Sequence, residues 1–373
     1  MPSLSQTRII TSMIARFFFL LCPLLLNARP LTPLPEQAEL VFHEDWSGGR
    51  IDPARWYPLR KQWGQGNHGV VPENLAIVPD LVDGKEVKVL RCQANGDAYD
   101  GPVTGLWGQK SRVGGVLVSK PFFASGRFEV LMKIGDPEHP TPPGIIPAIW
   151  TYASRSVIVP PEKSDDFQAE SPLYHPYLQQ WGKGHAFYWS ELDFPEFGKQ
   201  GDYTKPLYNT FLNKMHEPKE MPSHGAADGR YHRYVTEWRT ELVPFPEVRD
   251  EHVREAEGYH WIASKDIPYE KYFGQPLKKI GPNDYALYAG KVVDHWIDGK
   301  YVGRNDRFVP SMAAQLNIGV WLPDWAGPAP WQTRHVYFSE IKVWQFHDSG
   351  DVRGILTEDI ADSFDEKGQP IKR

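Results

Sequence analysis

Alternation of apolar and polar residues along short segments is the sequence feature that most constrains the fold of this chain. Over residues 126–134, Phe128 and Val130 are apolar, whereas Arg127 and Glu129 beside them are charged. Side chains two residues apart share one face of a β-strand, so this pattern predicts a half-buried strand. Further strands are predicted at residues 87–92, 116–120, 234–238 and 337–346.

The residues between these segments favour an all-β protein. The 373 residues include 34 prolines and 32 glycines, and residues 291–304 are predicted as a hairpin that turns at Asp298-Gly299. Many short strands joined by such turns are typical of a β-sandwich or jelly roll. Two segments depart from the pattern and are predicted as long loop insertions, residues 152–188 and 244–288, with a short charged helix over residues 247–257.

Charge and composition narrow the classes of function. Nucleic-acid binding requires a broad basic surface, which a protein with a net charge of −6 is not expected to have. No nucleic-acid partner is therefore expected. The 14 tryptophans favour a carbohydrate-handling protein, because sugar rings present apolar faces that stack on indole. The spacing Gly64-x-Gly66-x-x-Gly69 is interpreted as a loop and not a dinucleotide site, since Val70-Val71-Pro72 follows where a helix should begin. The 13 histidines show no zinc-ligand spacing, and no metal site is assigned from the residues.

The chain is expected to contain one large domain behind a leader. Residues 1–28 are predicted as a signal peptide, because Arg8 and Arg16 precede an apolar run, residues 17–26, that is shorter than the ~20 residues needed to span a bilayer. A secreted or periplasmic monomer without membrane attachment is therefore expected, with Cys92 as its one remaining cysteine. The domain is predicted over residues 36–346, followed by a polar tail over residues 347–373.

Carboxylates cluster within residues 189–197. On a strand, Glu191 and Asp193 share a face, whereas a regular strand would place Glu196 on the opposite face. One extra residue at Phe194-Pro195 would return Glu196 to the face of Glu191, and proline within sheets is largely confined to edges and bulges. The spacing therefore predicts a β-bulge at Pro195.

Three carboxylates on one face repel one another, which raises the pKa of at least one of them. Such a set suits retaining glycoside cleavage, in which two carboxyl groups about 5–5.5 Å apart serve as nucleophile and acid/base. The alternative is an acidic, solvated edge strand.

Together with the flanking segments, this motif resembles glycoside hydrolase family 16, whose signature is Glu-x-Asp-x-x-Glu on a bulged strand. Pro147-Ala148-Ile149-Trp150 is similar to that family's Pro-Ala-x-Trp segment. The other similar segments occur in the family's order at residues 40–46, 51–53, 67, 72–75, 118–120, 126–129, 231–238, 297–299, 316–319 and 341–344. The resemblance implies a concanavalin A-like jelly roll of two stacked antiparallel sheets, with a substrate cleft on the concave sheet. The two insertions are longer than the family's usual connections.

The resemblance also implies roles for individual residues. Glu191 would be the nucleophile, Asp193 its partner and Glu196 the general acid/base, with Trp150 as an aromatic wall. Alternation places Trp189 on the same face. Further candidates to contact sugar are Trp321, Trp325, Asn67, Arg127 and His216. The competing interpretation is packing for the tryptophans and simple solvation for the others.

These features predict a retaining endo-glycosidase that hydrolyses a β-linked polysaccharide. Within the family, the bulged motif goes mainly with β-1,3-glucanases, agarases and carrageenases, and β-1,3-glucan is the first expectation. The alternatives are a galactan hydrolase of the agar or carrageenan type, a transglycosylase using the same site, a lectin-like glycan-binding protein, or a surface protein that binds a partner through residues 152–188. No cofactor is expected to be required. The resemblance is compatible with a structural calcium on the convex side, with Glu44 or Asp45 as ligands.

Overall fold

The computed structural model describes residues 29–158, 185–213, 215–256, 258–264 and 266–353. Within these ranges, 18 strands form two antiparallel sheets. The first sheet contains β1 (Glu39–Glu44), β3 (Leu75–Val82), β4 (Lys85–Asn95), β6 (Gly126–Ile134), β11 (Tyr231–Pro244), β12 (Val253–Ala256), β13 (Tyr259–Ile262), β14 (Leu277–Gly281), β15 (Asp284–Ile297), β16 (Lys300–Asn305) and β18 (Thr333–Gln345). The second contains β2 (Trp56–Pro58), β5 (Gly115–Phe123), β7 (Ile146–Ile158), β8 (His185–Glu196), β9 (Leu207–Leu212), β10 (Met215–Glu220) and β17 (Ala314–Trp321). Single 3₁₀ turns lie at Pro72–Asn74, Asp250–His252, Tyr269–Lys271 and Asp324–Ala326.

The order of the strands confirms the all-β sandwich. The first sheet runs β12-β13-β14-β15-β11-β6-β18-β4-β3, with β1 added to β18 and β16 added to β15. The second runs β10-β9-β8-β7-β17-β5-β2. The predicted hairpin joins β15 to β16, and Asp298 and Gly299 both have positive φ, 49° and 74°, as a tight two-residue turn requires.

The main core lies between the two sheets. Phe128 and Val130 of β6 point into it, as do Leu192 and Phe194 of β8, and all four are buried. The rings of Phe128 and Phe194 pack with centroids 5.5 Å apart. Because neighbouring side chains on a strand point to opposite faces, this packing turns the carboxylates of β8 toward the outer face of the second sheet.

Both predicted insertions differ from expectation. Strand β7 continues to Ile158 and β8 begins at His185, so both ends of the predicted insertion 152–188 are strand, and residues 159–184 lie outside the described residues. The helix predicted over residues 247–257 is wrong. That segment holds a 3₁₀ turn and then β12, which pairs with β13, and burial of Val248 and Val253 together with this strand pairing outweighs the charged composition.

The start of the predicted tail is packed against the sandwich. Asp348 accepts hydrogen bonds from the Arg239 guanidinium at 2.7 and 2.8 Å, and Asp351 accepts one from the Ser125 hydroxyl at 3.0 Å. Val352 is fully buried. The packed structure therefore extends at least six residues beyond the predicted boundary at residue 346.

The predicted signal peptide lies outside the described residues. No helix in the ranges that the structure covers is long and apolar enough to cross a membrane.

Candidate active site

The predicted bulge lies at Phe194-Pro195. Toward β7, Asp193 pairs with Trp150 and Glu196 pairs with Ala148, so three steps along β8 correspond to two along β7. The same irregularity occurs on the β9 side. The Phe194–Pro195 peptide bond is cis. The bulge returns Glu196 to the outer face, beside Glu191 and Asp193.

The three carboxylates line one cavity of about 210 Å³ on the outer face of the second sheet. Aromatic side chains form most of the remaining lining. The lining residues are Trp63, Trp150, Glu191, Asp193, Glu196, Asn209, Phe211, Trp321 and Trp325. The sheet thus brings together the three predicted catalytic residues and three of the predicted tryptophans, Trp150, Trp321 and Trp325.

Asp193 is the most deeply placed of the three carboxylates, with 4% of its surface exposed. Burial raises its pKa to about 7, because a desolvated carboxyl group favours the neutral form. The Asn209 amide opposes this shift by donating a hydrogen bond of 2.7 Å to Oδ2.

The two glutamates respond to the same environment. Burial and the neighbouring Asp193 charge raise the pKa of Glu191 well above its ordinary range, and a hydrogen bond of 2.8 Å from the Trp189 indole opposes that shift. The pKa of Glu196 is also raised by burial and by Asp193, while a hydrogen bond with Trp321 lowers it. The three groups therefore cannot all ionise readily at neutral pH, and the cluster can hold a proton donor beside a carboxylate.

Tryptophans pack on one another along one side of the carboxylates. The Trp63 ring lies 6.2 Å from Trp150 and 5.4 Å from Trp321, and Trp321 meets Trp325 at 5.5 Å with planes 80° apart. These rings therefore pack on one another and also line the cavity.

Trp189 has a different role from the sugar platform that alternation suggested. Its ring stacks on Phe211 with centroids 5.4 Å apart and planes 5° apart, which covers one indole face. Phe211 in turn stacks on His216 at 5.4 Å. Trp189 therefore acts on the site through its indole N–H bond to Glu191, and His216 lies beyond Phe211, outside the residues that line the cavity.

Two further predicted sugar contacts are wrong. Arg127 lies on β6 in the first sheet, 5% exposed, where it pairs with Glu237. The buried Asn67 side chain donates to the Trp63 carbonyl at 3.0 Å and accepts from the Gly69 N–H at 3.1 Å. Both side chains are occupied by protein partners, so Arg127 supports the opposite sheet and Asn67 shapes a loop.

Three residues that line the cavity were not among the predicted ones: Trp63, Asn209 and Phe211. Asn209 and Phe211 stand two apart on β9, a strand whose alternation would have placed them on one face. Trp63 precedes the glycine-rich segment, where Gly64 and Gly66 have φ of 71° and 76°. That segment is a loop, as predicted, and it packs closely on the β17 side of the cavity.

Of the two residues named for calcium, the exposed Asp45 accepts a hydrogen bond from the Ser47 N–H at 3.0 Å, whereas Glu44 is fully engaged by protein donors. The Glu44 carboxylate accepts hydrogen bonds from the Trp46 N–H at 3.1 Å and the Trp56 indole at 2.9 Å, and it pairs with Arg55 at 3.2 Å. A carboxylate held by two N–H donors and a guanidinium does not fit a calcium ligand. Nor do the residues that the structure covers contain a group of three or more His, Cys, Asp or Glu arranged to hold a metal ion.

Comparison with known proteins finds similarity at the level of structure. No family model and no curated protein matches the sequence. Similar solved structures include a β-glucanase of Bacillus licheniformis, 14% identical over 81% of this chain and 96% of that chain, with a TM-score of 0.47. The laminarinase catalytic domain of Thermotoga maritima is 14% identical over 83% and 99%, also with a TM-score of 0.47. A Bacteroides ovatus enzyme of a mixed-linkage glucan locus is 14% identical over 82% and 100%, with a TM-score of 0.45.

The Bacteroides ovatus enzyme is named as a member of glycoside hydrolase family 16, the family that the motifs of this chain resemble. At this level of similarity, an assignment of activity depends on the chemistry of the carboxylate site itself.

Proposed function

We propose that this chain is a retaining endo-glycosidase that hydrolyses a β-linked polysaccharide, with β-1,3-glucan as its substrate. The observation that carries the proposal is the grouping of Glu191, Asp193 and Glu196 in one cavity lined by aromatic rings. Binding of sugar by aromatic surface and cleavage by paired carboxyl groups then occur at the same place.

The reaction proceeds in two displacements. In the first, the Glu191 carboxylate attacks the anomeric carbon, the glycosidic C–O bond breaks, and Glu196 gives its proton to the leaving oxygen. In the second, Glu196 takes a proton from water as that water attacks the glycosyl-enzyme ester, which releases Glu191. Asp193 hydrogen-bonds Glu191 and sets the ionisation of both glutamates.

The lining of the cavity favours a neutral polymer. Among the lining residues in the described part of the chain, none is Lys or Arg, while three are acidic. A sulfated galactan would bring negative charge toward these carboxylates without a cation to pair with it. A glucan carries no such charge and offers apolar ring faces to Trp150 and its neighbours.

Export, location, oligomeric state and cofactor requirement belong to the same proposed function. We propose that it is exported by residues 1–28, works outside the cytoplasm as a monomer, and needs no cofactor. Mass spectrometry of the exported protein would show a chain beginning after residue 28, and a full-length mass would contradict export by this leader.

The direct test is reducing-end release from laminarin, mixed-linkage glucan, agarose and carrageenan. Wild type is compared with Glu191→Gln and Glu196→Gln, which preserve side-chain shape, and with the control Glu220→Gln at an exposed position of β10. We expect cleavage of laminarin that is lost by at least 10³-fold in both active-site variants and retained in the control. Activity that persists in Glu191→Gln would refute its role as nucleophile.

The remaining alternatives give different outcomes in the same experiments. Cleavage of agarose or carrageenan alone would indicate a galactan hydrolase, and longer products in place of free reducing ends would indicate a transglycosylase. Binding without cleavage of any polymer would indicate a lectin. Retention is tested by NMR of the first product, in which the β-anomer should appear before mutarotation.

A further inference from the structure

Asn213, in the turn between β9 and β10, replaces part of the backbone pairing of β8. Its φ is +55° and it is 3% exposed. Its backbone N–H donates to the Trp189 carbonyl at 2.9 Å, and its side-chain Oδ1 accepts from the Trp189 N–H at 2.7 Å. The side-chain oxygen therefore takes the place of a strand carbonyl opposite Trp189.

The other end of the same side chain is bound to the inserted segment of residues 244–288. The Asn213 Nδ2 donates to the Phe273 carbonyl at 2.6 Å, and the side chain also hydrogen-bonds Tyr269. The Phe273 ring packs against Tyr269 at 5.8 Å and against Phe308 at 5.4 Å. The acceptor for Asn213 is thus held in a packed aromatic cluster and not in a loose loop.

A third contact connects Trp189 to the carboxylate cluster. The Trp189 indole donates to Glu191 Oε2 at 2.8 Å, and the ring is held flat against Phe211. Stacking on Phe211 fixes the plane of the Trp189 ring. The position of the indole N–H within that plane then depends on where the Trp189 backbone is held. Asn213 holds that backbone from both its N–H and its carbonyl.

We propose that Asn213 is a positioning residue through which the inserted segment fixes the Trp189–Glu191 hydrogen bond and so the reactivity of the nucleophile. The inference rests on the proposed function, in which Glu191 is the nucleophile. In this arrangement the insertion acts on the chemistry through Asn213 and Trp189, and none of its described residues is among those that line the cavity.

The alternative is that Asn213 is present only because it tolerates a left-handed turn. Glycine adopts positive φ at lower cost than asparagine, so Asn213→Gly keeps the turn and removes the side-chain hydrogen bonds to Trp189, Phe273 and Tyr269. The matched control is Asn283→Gly in the β14–β15 hairpin, where φ is +58° and the side chain also accepts one backbone N–H, from Asp250 at 2.7 Å.

The kinetic test separates positioning from stability. For Asn213→Gly we expect kcat on laminarin to fall about ten-fold, the effect of one weakened hydrogen bond to a charged group, with KM changed less than two-fold. The acidic limb of the kcat/KM profile should move to higher pH, because loss of an N–H donor raises the pKa of Glu191. Asn283→Gly should match wild type in both.

A measurement without substrate keeps this proposal separate from the proposed function. In protein labelled with ¹⁵N-tryptophan, the indole resonance absent from Trp189→Phe identifies Trp189. We expect that resonance to shift upfield in Asn213→Gly and to stay in place in Asn283→Gly. If no polymer is cleaved, the proposed function fails, while the resonance still reports on the hydrogen bond.

Two results would overturn the inference. One is an unchanged Trp189 indole resonance in Asn213→Gly, and the other is a loss of thermal stability with kcat and the pH profile as in wild type. Should Asn213→Gly fold poorly, Tyr269→Phe removes only the hydroxyl partner of Asn213 and should give a smaller shift in the same direction. No shift in a folded Tyr269→Phe variant would then refute the role of the insertion.

Discussion

Burial of Asp193 carries a free-energy cost that grows with pH. Its pKa is raised from 3.8 to about 7 on folding. Between these values the unfolded chain has lost the proton while the folded protein keeps it, so the folded state is progressively disfavoured as pH rises. A shift of about three units corresponds to about 4 kcal/mol once pH exceeds the folded pKa. Asp193→Asn cannot ionise and avoids this cost.

We therefore predict that Asp193→Asn gains stability over wild type as pH rises, by about 4 kcal/mol more at pH 8 than at pH 4. The Asn209 contact can persist, because the new amide oxygen still accepts from Nδ2. Relief of the charge beside Glu191 and Glu196 acts in the same direction. The gain should develop mostly between pH 4 and pH 7.

Urea unfolding followed by circular dichroism, repeated at each pH unit from 4 to 8, measures this difference in the free energy of unfolding. A constant difference for Asp193→Asn across the whole range would refute the reasoning, since it would mean that Asp193 ionises alike in both states.

Two further predictions concern the stability of the fold, one at a loop beside the cavity and one at the C-terminal segment. Gly66 has φ of +76°, and a Cβ there would lie 1.7 Å from Asp324 Oδ1, so Gly66→Ala should destabilise the protein by about 2–3 kcal/mol and raise KM for the polymer. Gly49→Ala, at φ of +68° with nothing within 4 Å, should cost about 1 kcal/mol and leave KM unchanged, and equal losses by urea unfolding would contradict the steric argument. Asp348→Ala removes the acceptor of Arg239 and should lower the free energy of unfolding by about 1–3 kcal/mol with kcat/KM unchanged. A fall in kcat/KM at unchanged stability would contradict this.

Local pattern was sufficient for several of the strands and for the bulge within the acidic motif of β8. The odd spacing from Asp193 to Glu196, with Pro195 between them, predicted a bulge that the pairing with β7 confirms. Alternation also correctly predicted that the Arg127 side chain points away from the core. It could not tell which of the two sheets has the cavity on its outer face, and for this reason Arg127 was wrongly placed among the sugar contacts.

The predicted helix over residues 247–257 failed for a related reason. Charged composition in that segment is compatible with a helix in isolation, but pairing of β12 with β13 and burial of Val253 decide the conformation. Trp63 was missed because its position against Trp321 depends on a loop that lies far from the catalytic strand in the sequence.

The sequence by itself determined that the chain is built of strands and that Glu191, Asp193 and Glu196 share one face, because the period of a strand and a single extra residue act over a few neighbouring positions. Only the tertiary structure decided which rings surround these carboxylates, how far burial raises their pKa values, and that Asn213 joins an inserted segment to Trp189. Desolvation and contact depend on side chains brought together from distant parts of the chain, and no local pattern records that proximity.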